Sequence, residues 1–360
     1  MTALLRVGIC GFGKMGQIRA ASIERMPGLA RVVKVYDVAY PTPPGYPTAD
    51  SIEEIVNDPG IDAVFVCLPN FLNMPTTVAA LRAGKHVFCE KPPAFNAAEM
   101  RTIRQAEQAS GRVLMYGFNH RQHEAIVTMD DLVRSGRYGR VLWMRGRYGK
   151  SVDAEYLTGW RANPALAGGG ILLDQGIHML DLMLHLGGQP FDEVHALVSN
   201  LYWNTPGIED NVFAIMRNRR TGLCASLHST MTQWRHLFSL EVFLERGYMV
   251  LNGLKTGSGT YGDEVLTVAK NRSRAPAATW DDEERMHFKV DTSWQREADA
   301  FIQAIATGGP PAFGTSQQAL DVMDLIDRIY AAERHEAERL HEDIQTVADE
   351  PPPRPPTGST

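Results

Sequence analysis

Several features that would direct this chain to a membrane, a nucleic acid or an oxidising compartment are missing or scarce. Only four cysteines occur in 360 residues, and no two of them form a CxxC pair. No apolar run is long enough to cross a bilayer, there is no long basic run, and the formal net charge is −6. Such a chain is not expected to bind nucleic acid or an anionic membrane surface. We expect a cytoplasmic protein with reduced, scattered cysteines and no signal peptide.

Length and apolar content are those of a two-part enzyme. At 360 residues, 44% of them hydrophobic, the chain exceeds one typical domain and can bury substantial cores. Short apolar runs alternate with helical patterns in its first third. The runs lie at 4–10, 31–36, 63–68, 86–89 and 113–117, and the predicted helices at 17–26, 75–83 and 99–108. This rhythm predicts a doubly wound parallel sheet that binds ligands at the carboxyl ends of its strands.

The pattern changes beyond about residue 190. Segments 223–231 and 238–244 are rich in β-forming residues without intervening helices, which predicts a largely antiparallel sheet with one covered face. Amphipathic stretches at 294–306 and 316–339 predict two late helices. We predict domains at 1–120 and 121–340, followed by a disordered Pro-rich tail at 345–360.

The most informative motif is GFGKMG at residues 11–16, between the first apolar run and the first predicted helix. There Gly11 would allow a tight turn, Gly13 the approach of a pyrophosphate, and Gly16 close packing of helix on strand. The second apolar run ends in Asp37, at about the distance where a carboxylate bonds the adenosine ribose. Asp37 would repel a 2′-phosphate and no Arg or Lys follows it at 38–40, so NAD is predicted over NADP. A glycine turn without any ligand is the alternative.

Two further clusters contain groups suited to proton and hydride chemistry. Lys91 follows a strand on the same predicted sheet edge as the glycine loop, where an ammonium group can stabilise an alkoxide. If residues 172–186 are helical, Asp174 and His178 lie one turn apart on one face. An imidazole titrates near neutral pH, so His178 can take a proton from a secondary alcohol as hydride leaves.

Each cluster also has a plain structural interpretation. Lys91 can be a surface lysine after a strand, and Asp174 a helix cap beside a core histidine, His178. Asp181 and His185 fall on about the same face and would supply two metal ligands. We expect no metal site, because no further ligand clusters with them and hydride transfer needs no metal.

Together these segments resemble the Gfo/Idh/MocA family, which includes glucose-fructose oxidoreductase and inositol dehydrogenase. The resemblance extends from Arg6 to about Tyr330. In chain order it is carried by the glycine loop, AGKHV at 83–87, EKP at 90–92, GFNHR at 117–121, WR at 160–161 and the Gly-rich stretch that leads to Asp174 and His178.

The resemblance implies a Rossmann domain followed by an α/β domain with a large open sheet, which often forms a dimer or tetramer interface. It implies that Lys91, Asp174 and His178 meet at the nicotinamide, with His178 as acid/base, and that the Lys91–Pro92 peptide can be cis. Including the glycine loop and Asp37, the expected cofactor contacts are Gly11, Phe12, Gly13, Lys14, Met15, Gly16, Asp37, Pro69, Asn70, Glu90, Asn119, Trp160 and Arg161. The expected substrate contacts are His120 and Gln175. One position departs from the family pattern: many members have His four residues after Pro69, where this chain has Asn73.

The expected function is NAD-dependent oxidation of a secondary hydroxyl on a sugar or cyclitol ring to a ketone, in a homodimer or homotetramer. Some relatives use NAD transiently to cleave glycosidic bonds, so a redox-neutral glycoside hydrolase stays open. A nucleotide-sugar dehydrogenase and a non-catalytic NAD-binding regulator stay open as well, although the presence of all three catalytic candidates argues against the regulator. The sequence leaves free inositols, aminocyclitols, hexoses and nucleotide sugars open as substrates.

Overall fold

The N-terminal part of the chain forms a five-stranded parallel sheet. The computed structural model describes residues 4–39, 45–270 and 279–349. The strands are β1 (Leu5–Cys10), β2 (Ala30–Tyr36), β3 (Ala63–Val66), β4 (His86–Glu90) and β5 (Leu114–Gly117), in the spatial order β2-β1-β3-β4-β5. The order reverses between β1 and β3, and such a switch point is where open α/β sheets bind ligands. The predicted doubly wound sheet is confirmed.

Four helices connect these strands. They are α1 (Lys14–Glu24), α2 (Ile52–Asn57), α3 (Asn70–Arg82) and α4 (Ala97–Ser110). The prediction that the third helix starts at Pro75 is wrong, because α3 begins at Asn70 and contains Pro75 in its interior. Proline is typical of the first helical turn, so the sequence alone places the start there, but the second turn tolerates it here at the loss of one backbone hydrogen bond.

The second sheet has eight strands and lies after α5 (Glu124–Arg134). Its strands are β6 (Val141–Ser151), β7 (Glu193–Ser199), β8 (Asn211–Arg217), β9 (Cys224–Thr230), β10 (Thr232–Leu244), β11 (Gly247–Asn252), β12 (Glu264–Lys270) and β13 (Glu284–Phe288). Their order is β13-β12-β11-β10-β6-β9-β8-β7, and every neighbouring pair is antiparallel except β6 with β9. The predicted open, mostly antiparallel sheet is confirmed.

The segment between β6 and β7 joins the two sheets. It contains α6 (Pro164–Ala167), a π-helical turn (Leu172–Gly176) and α7 (Ile177–Gly187). The side-chain amide of Asn70, at the start of α3, donates to the carbonyl of Ala167 at 2.8 Å. This contact brings the segment against the carboxyl edge of the parallel sheet.

Two late helices complete the fold, α8 (Ser293–Thr307) and α9 (Ser316–Asp349). Helix α8 packs into the core of the first sheet, where the Phe301 ring lies 5.3 Å from that of Phe65 and 5.7 Å from that of Phe88. Helix α9 extends to Asp349, five residues into the predicted tail, whose remainder at 350–360 lies outside the described residues. Among the described helices, none is long and apolar enough to cross a membrane.

Candidate functional site

The glycine loop connects β1 to α1 at the switch point of the parallel sheet. Gly11 has φ of 90°, and a Cβ there would lie 2.3 Å from the carbonyl oxygen of Cys67. A Cβ on Gly16 would lie 2.0 Å from the carbonyl oxygen of Gly11, whereas one on Gly13 would meet no described atom within 4 Å. Packing therefore requires the outer two glycines, and the middle one opens onto free space at the N-terminus of α1. This space fits the phosphates of a dinucleotide.

Asp37 follows β2 and fixes this loop. Its Oδ2 accepts a hydrogen bond from the backbone N–H of Phe12 at 2.6 Å, and its Oδ1 accepts one from the N–H of Ala39 at 2.7 Å. The carboxylate is only partly buried. Asp37 therefore stands at the sheet edge beside the loop, together with Lys14 and Met15 in the first turn of α1.

Lys91 directly follows β4 at the same edge, and the Lys91–Pro92 peptide is cis. The side-chain amide of Asn73 donates to the carbonyl of Pro92 at 2.8 Å, so the residue that departs from the family pattern supports this turn. Lys91 Nζ donates to the backbone carbonyl of Asp174 and lies 3.5 Å from Asp174 Oδ1. The lysine therefore points across to the segment before α7.

Asp174 lies in the π-helical turn, which corrects the prediction of one regular helix over 172–186. The buried Glu209 holds the start of this turn, because its carboxylate accepts the N–H groups of Gly170 at 2.7 Å and Leu172 at 3.0 Å. A Cβ on Gly170 would lie 2.0 Å from the Glu209 carbonyl oxygen, so the turn requires glycine there. Packing against Glu209, in the segment before β8, sets this geometry, and the local pattern does not show it.

The Asp174 carboxylate is surrounded by donors. Lys150 Nζ lies 3.3 Å from Oδ2, Gln175 Nε2 donates to the same oxygen at 3.1 Å, and the Tyr156 hydroxyl donates to it as well. Burial alone opposes ionisation, but Lys150, Lys91 and Arg161 outweigh it and hold the pKa of Asp174 well below its usual range. Gln175, expected to contact substrate, thus contacts Asp174.

His178 lies in the first turn of α7 with 4% of its surface exposed. Its ring stacks on that of His120 with centroids 3.8 Å apart, and its Nδ1 has no hydrogen-bond partner among the described residues. Burial, and then the charge of Lys91, lowers the pKa of His178 well below its usual value. His178 is therefore a neutral imidazole at pH 7.

His120 is held by its own neighbours. Its Nε2 lies 2.9 Å from the Tyr148 hydroxyl and its Nδ1 lies 3.1 Å from Asn119 Oδ1, while Asn119 Nδ2 donates to Ser293 at 3.2 Å. Asn119 and His120 of the GFNHR motif are therefore linked to α8 and to β6, and His120 stacks on His178.

Glu90 is engaged by a charge cluster that the sequence does not reveal. The guanidinium of the fully buried Arg19 lies 2.7 Å from the carboxylates of Glu90 and Glu297, and over the ring of Phe88. We call Arg19, Glu90 and Glu297 the Arg19 triad. Arg19 and Glu297 are 278 residues apart, so no local pattern could indicate their contact.

A pocket beside Asp174 brings several expected cofactor contacts together. Its lining includes Asn70, Tyr156, Trp160, Arg161 and Asp174. The neighbouring Pro69 precedes α3 at the same sheet edge. Neither Tyr156 nor Lys150 was predicted, because no motif marks them and only the fold places them on Asp174.

Asp181 and His185 do not converge on a shared ligand position. Asp181 pairs with Arg121, whose Nε and Nη2 lie 2.7 and 2.5 Å from its two oxygens, and His185 Nε2 lies 3.5 Å from Asp130. Within the part of the chain that the structure describes, no group of three or more His, Cys, Asp or Glu residues is arranged to hold a metal ion.

Comparison with known proteins gives family matches in both halves of the chain. Residues 5–118 match the model of an oxidoreductase family with an NAD-binding Rossmann fold, and residues 126–250 match the GFO/IDH/MocA C-terminal domain.

Individual relatives act on small carbohydrates and cyclitols. The chain is 32% identical to 1,5-anhydro-D-fructose reductase of Ensifer adhaerens over 63% of this chain and 67% of that protein. It is 25% identical to myo-inositol 2-dehydrogenase of Thermotoga maritima over 86% of this chain and 90% of the relative. A solved levoglucosan dehydrogenase in complex with NADH and levoglucosan has a TM-score of 0.79 at 24% identity, covering 92% of this chain and 98% of that one, which shows the same fold.

Proposed function

The chain belongs to the Gfo/Idh/MocA family of NAD-binding oxidoreductases, and from this premise we propose that it oxidises a secondary hydroxyl of a sugar or cyclitol ring to a ketone with NAD. The observation that carries the proposal is the meeting of Lys91 with Asp174, one helical turn before His178, at the edge that holds the glycine loop. Relatives named for anhydrofructose and myo-inositol support the substrate class.

In the proposed mechanism each catalytic residue has one task. NAD supplies the hydride acceptor. His178, neutral because burial and Lys91 lower its pKa, takes the proton of the substrate hydroxyl. The Lys91 ammonium group, held by Asp174, stabilises the negative charge that develops on that oxygen as the carbonyl forms. Proton and hydride thus leave the substrate by separate routes.

We propose that the nucleotide lies along the glycine loop, with its adenosine ribose at Asp37. The free space at Gly13 supports the position of the phosphates, and the partly exposed Asp37 carboxylate supports NAD over NADP. Trp160, Arg161 and Asn70 would contact the nicotinamide half, since they line the pocket at Asp174.

The test uses NADH formation by the purified protein with inositols, aminocyclitols, free sugars and nucleotide sugars. Lys91→Met and His178→Asn are expected to lower turnover by about 10²- to 10⁴-fold, since each removes one proton-transfer or charge-stabilising group. Their dissociation constants for NAD should stay within threefold of the unsubstituted protein. Arg101→Met, at an exposed ion pair with Asp324, is the matched control.

Near-normal turnover in either catalytic variant would overturn the assignment. Release of sugar from a glycoside without accumulation of NADH would instead indicate the redox-neutral hydrolase. Tight NAD binding without turnover of any polyol would indicate a regulator.

We further propose that the protein is a cytoplasmic homodimer or homotetramer built through the outer face of the eight-stranded sheet. Leu197, Phe213 and Ile215 are 48–64% exposed there, and the inward-facing side chains between them are buried. A second copy would cover this apolar area. The four free cysteines are consistent with a reducing compartment.

A further inference from the structure

The proposed base, His178, is not oriented by a carboxylate. Its Nδ1 is buried and forms no hydrogen bond to any residue that the structure describes. The Asp174 carboxylate, one turn earlier, accepts instead from Lys150, Tyr156 and Gln175. Because Nδ1 is enclosed, Nε2 is the nitrogen that can face a substrate. The χ2 torsion of a histidine is soft, so an imidazole without such bonds needs packing to fix its orientation.

His120 covers one flat face of the His178 ring. The two rings are stacked, with centroids 3.8 Å apart and planes inclined by 19°. The Tyr148 ring is more distant, with its centroid 6.3 Å from that of His178. A flat contact of this kind opposes rotation of the imidazole out of its plane, so the orientation of His178 depends on that of His120.

His120 is itself fixed through both of its ring nitrogens. Its Nε2 lies 2.9 Å from the Tyr148 hydroxyl and its Nδ1 lies 3.1 Å from Asn119 Oδ1. Ser293 Oγ donates to Asp291 at 2.6 Å and accepts from Asn119 Nδ2, which leaves Asn119 Oδ1 as an acceptor. His120 Nδ1 therefore carries the hydrogen, and its Nε2 accepts one from Tyr148. These bonds fix one neutral tautomer of His120.

His120 is also isolated from the substrate and from the reacting proton. It is 7% exposed, and neither ring nitrogen is left for a ligand. Burial, and then the charges of His178, His123 and Lys91, hold the pKa of His120 well below its usual value. A proton on His120 would also place two charged imidazolium rings in contact once His178 is protonated. His120 therefore stays neutral while His178 changes its charge.

We propose that His120 is a positioning residue for His178 rather than the substrate contact expected from the sequence. Stacked on the imidazole and fixed by Asn119 and Tyr148, it holds Nε2 of His178 toward the reacting hydroxyl. This inference rests on the proposed oxidation and deepens it. In each turnover the hydroxyl proton passes to His178 Nε2 and the hydride to NAD, while His120 neither gains nor loses a proton.

The test separates the His120 ring from its hydrogen bonds, in the full-length protein with the polyol that gives most NADH in the panel above. His120→Gln keeps an amide for Tyr148 but has no ring, whereas His120→Phe keeps a ring without hydrogen bonds. We expect kcat to fall by about 10²-fold in His120→Gln, because a small misplacement of a catalytic group has that cost. In His120→Phe it should fall by less than about tenfold. The KM for the polyol should stay within about threefold in both variants, because the substrate contacts are unchanged.

His86→Gln is the matched control. The Nδ1 of His86 also accepts a hydrogen bond, from the backbone N–H of Val113 at 3.0 Å, but this residue begins β4 at the end opposite to Lys91. Its kcat and KM should equal those of the unsubstituted protein. Tyr148→Phe serves if His120→Gln fails to fold, because it keeps the His120 ring and frees Nε2. It should lower kcat by about tenfold without raising KM.

A second measurement needs no substrate. In the full-length, NAD-loaded protein with isotope-labelled histidine Cε1 atoms, NMR follows the His178 signal, which is assigned by its loss in His178→Asn. We expect one sharp signal in the unsubstituted protein and in His120→Phe. In His120→Gln the signal should broaden or double, since the unstacked ring samples both of its χ2 orientations.

Full kcat in His120→Gln, or one sharp His178 signal in that variant, would overturn the inference. A rise in KM at unchanged kcat would overturn it by making His120 a substrate contact. Equal losses in His120→Gln and His120→Phe would do so by assigning the effect to the hydrogen bonds. If the unsubstituted protein oxidises no polyol but the His178 signal changes as expected, the proposed dehydrogenase falls and the positioning of the imidazole stands.

Discussion

Asp37 accepts hydrogen bonds from Phe12 of the glycine loop and from Ala39 through its two carboxylate oxygens. Two backbone N–H groups already occupy one lone pair on each of its oxygens. A carboxylate oxygen accepts more than one hydrogen bond, so Asp37 keeps acceptor capacity for the ribose hydroxyls that we expect it to bind. Its substitution should therefore affect loop order and nucleotide choice together.

We predict that Asp37→Ser combined with Val38→Arg shifts the nucleotide preference toward NADP. Val38 is 84% exposed, so an arginine there reaches solvent and a 2′-phosphate without disturbing the core. Loss of charge-assisted hydrogen bonds worth about 1.5–3 kcal/mol should weaken NAD binding by more than tenfold. The measurement is the dissociation constant of each nucleotide by fluorescence titration.

Val38→Arg alone is the control and should leave NAD binding intact. An unchanged ratio of NAD to NADP affinity in the double variant would mean that Asp37 does not contact the ribose.

At the residue scale, sequence motifs identified candidate site residues but did not indicate the side chains that contact them. Lys91, Asp174 and His178 each belong to a short motif with fixed spacing. Lys150 and Tyr156 belong to none, because their contact with Asp174 depends on how β6 and the following turn cross the sheet edge. Tertiary contacts of this kind leave no local trace in the sequence.

At the scale of elements, the Arg19 triad ties α1, β4 and α8 into one unit. Burial, opposed by Arg19, raises the pKa of Glu297 to about 8, and the nearby Glu90 adds to the rise. One buried oxygen of Glu297, Oε1, has no described hydrogen-bond partner and can carry the proton. The triad therefore couples the packing of α8 to pH.

We predict that Glu297→Gln removes a pH dependence of stability. Because folding raises this pKa, the protonated carboxyl contributes stability that is fully present below about pH 4.5 and is lost as pH rises toward 8. The free energy of unfolding of the unsubstituted protein, minus that of Glu297→Gln, should therefore fall between pH 5 and 8 by at most about 1.4 kcal/mol per pH unit.

Urea unfolding at each pH measures this difference. Glu284→Gln, an exposed position on β13, should show no such trend. Parallel pH profiles for the unsubstituted protein and Glu297→Gln would show that Glu297 is ionised in the fold throughout.

Element boundaries were predicted well where a single local rule applies. The apolar runs of the parallel sheet match its strands within about two residues, since a buried strand between glycine or proline signals has little freedom. Two deviations, Pro75 inside α3 and the π-helical turn at Leu172–Gly176, arise where packing overrides the local preference.

For the whole molecule, the exposed sheet face leads to a prediction about assembly. Ile215→Glu with Leu197→Glu places two charges on that face, where burial against a second copy would require their desolvation. We expect light scattering to show a shift from dimer or tetramer to monomer. Leu29→Glu, at an exposed apolar residue outside this face, should leave the assembly unchanged.

A monomeric unsubstituted protein at about 10 μM, or a double variant that keeps its oligomeric mass, would contradict this interface.

The two-sheet architecture itself followed from the sequence, because the change from alternating strand and helix to consecutive strands is visible along the chain. The packing of α8 into the core of the first sheet could not be predicted from the sequence, because nothing near Phe301 indicates its contacts with Phe65 and Phe88.

The position of α8 also has a consequence for biosynthesis. The nucleotide-binding sheet ends its last strand at Gly117, yet Phe301 and Glu297 complete its core. At about 5–20 residues per second, a ribosome needs roughly 10 to 40 s to reach α8 after finishing β5. Throughout that interval the aromatic face of the nascent sheet is uncovered, and Arg19 lacks the carboxyl group of Glu297. We therefore expect chaperones to bind the nascent chain mainly during this period.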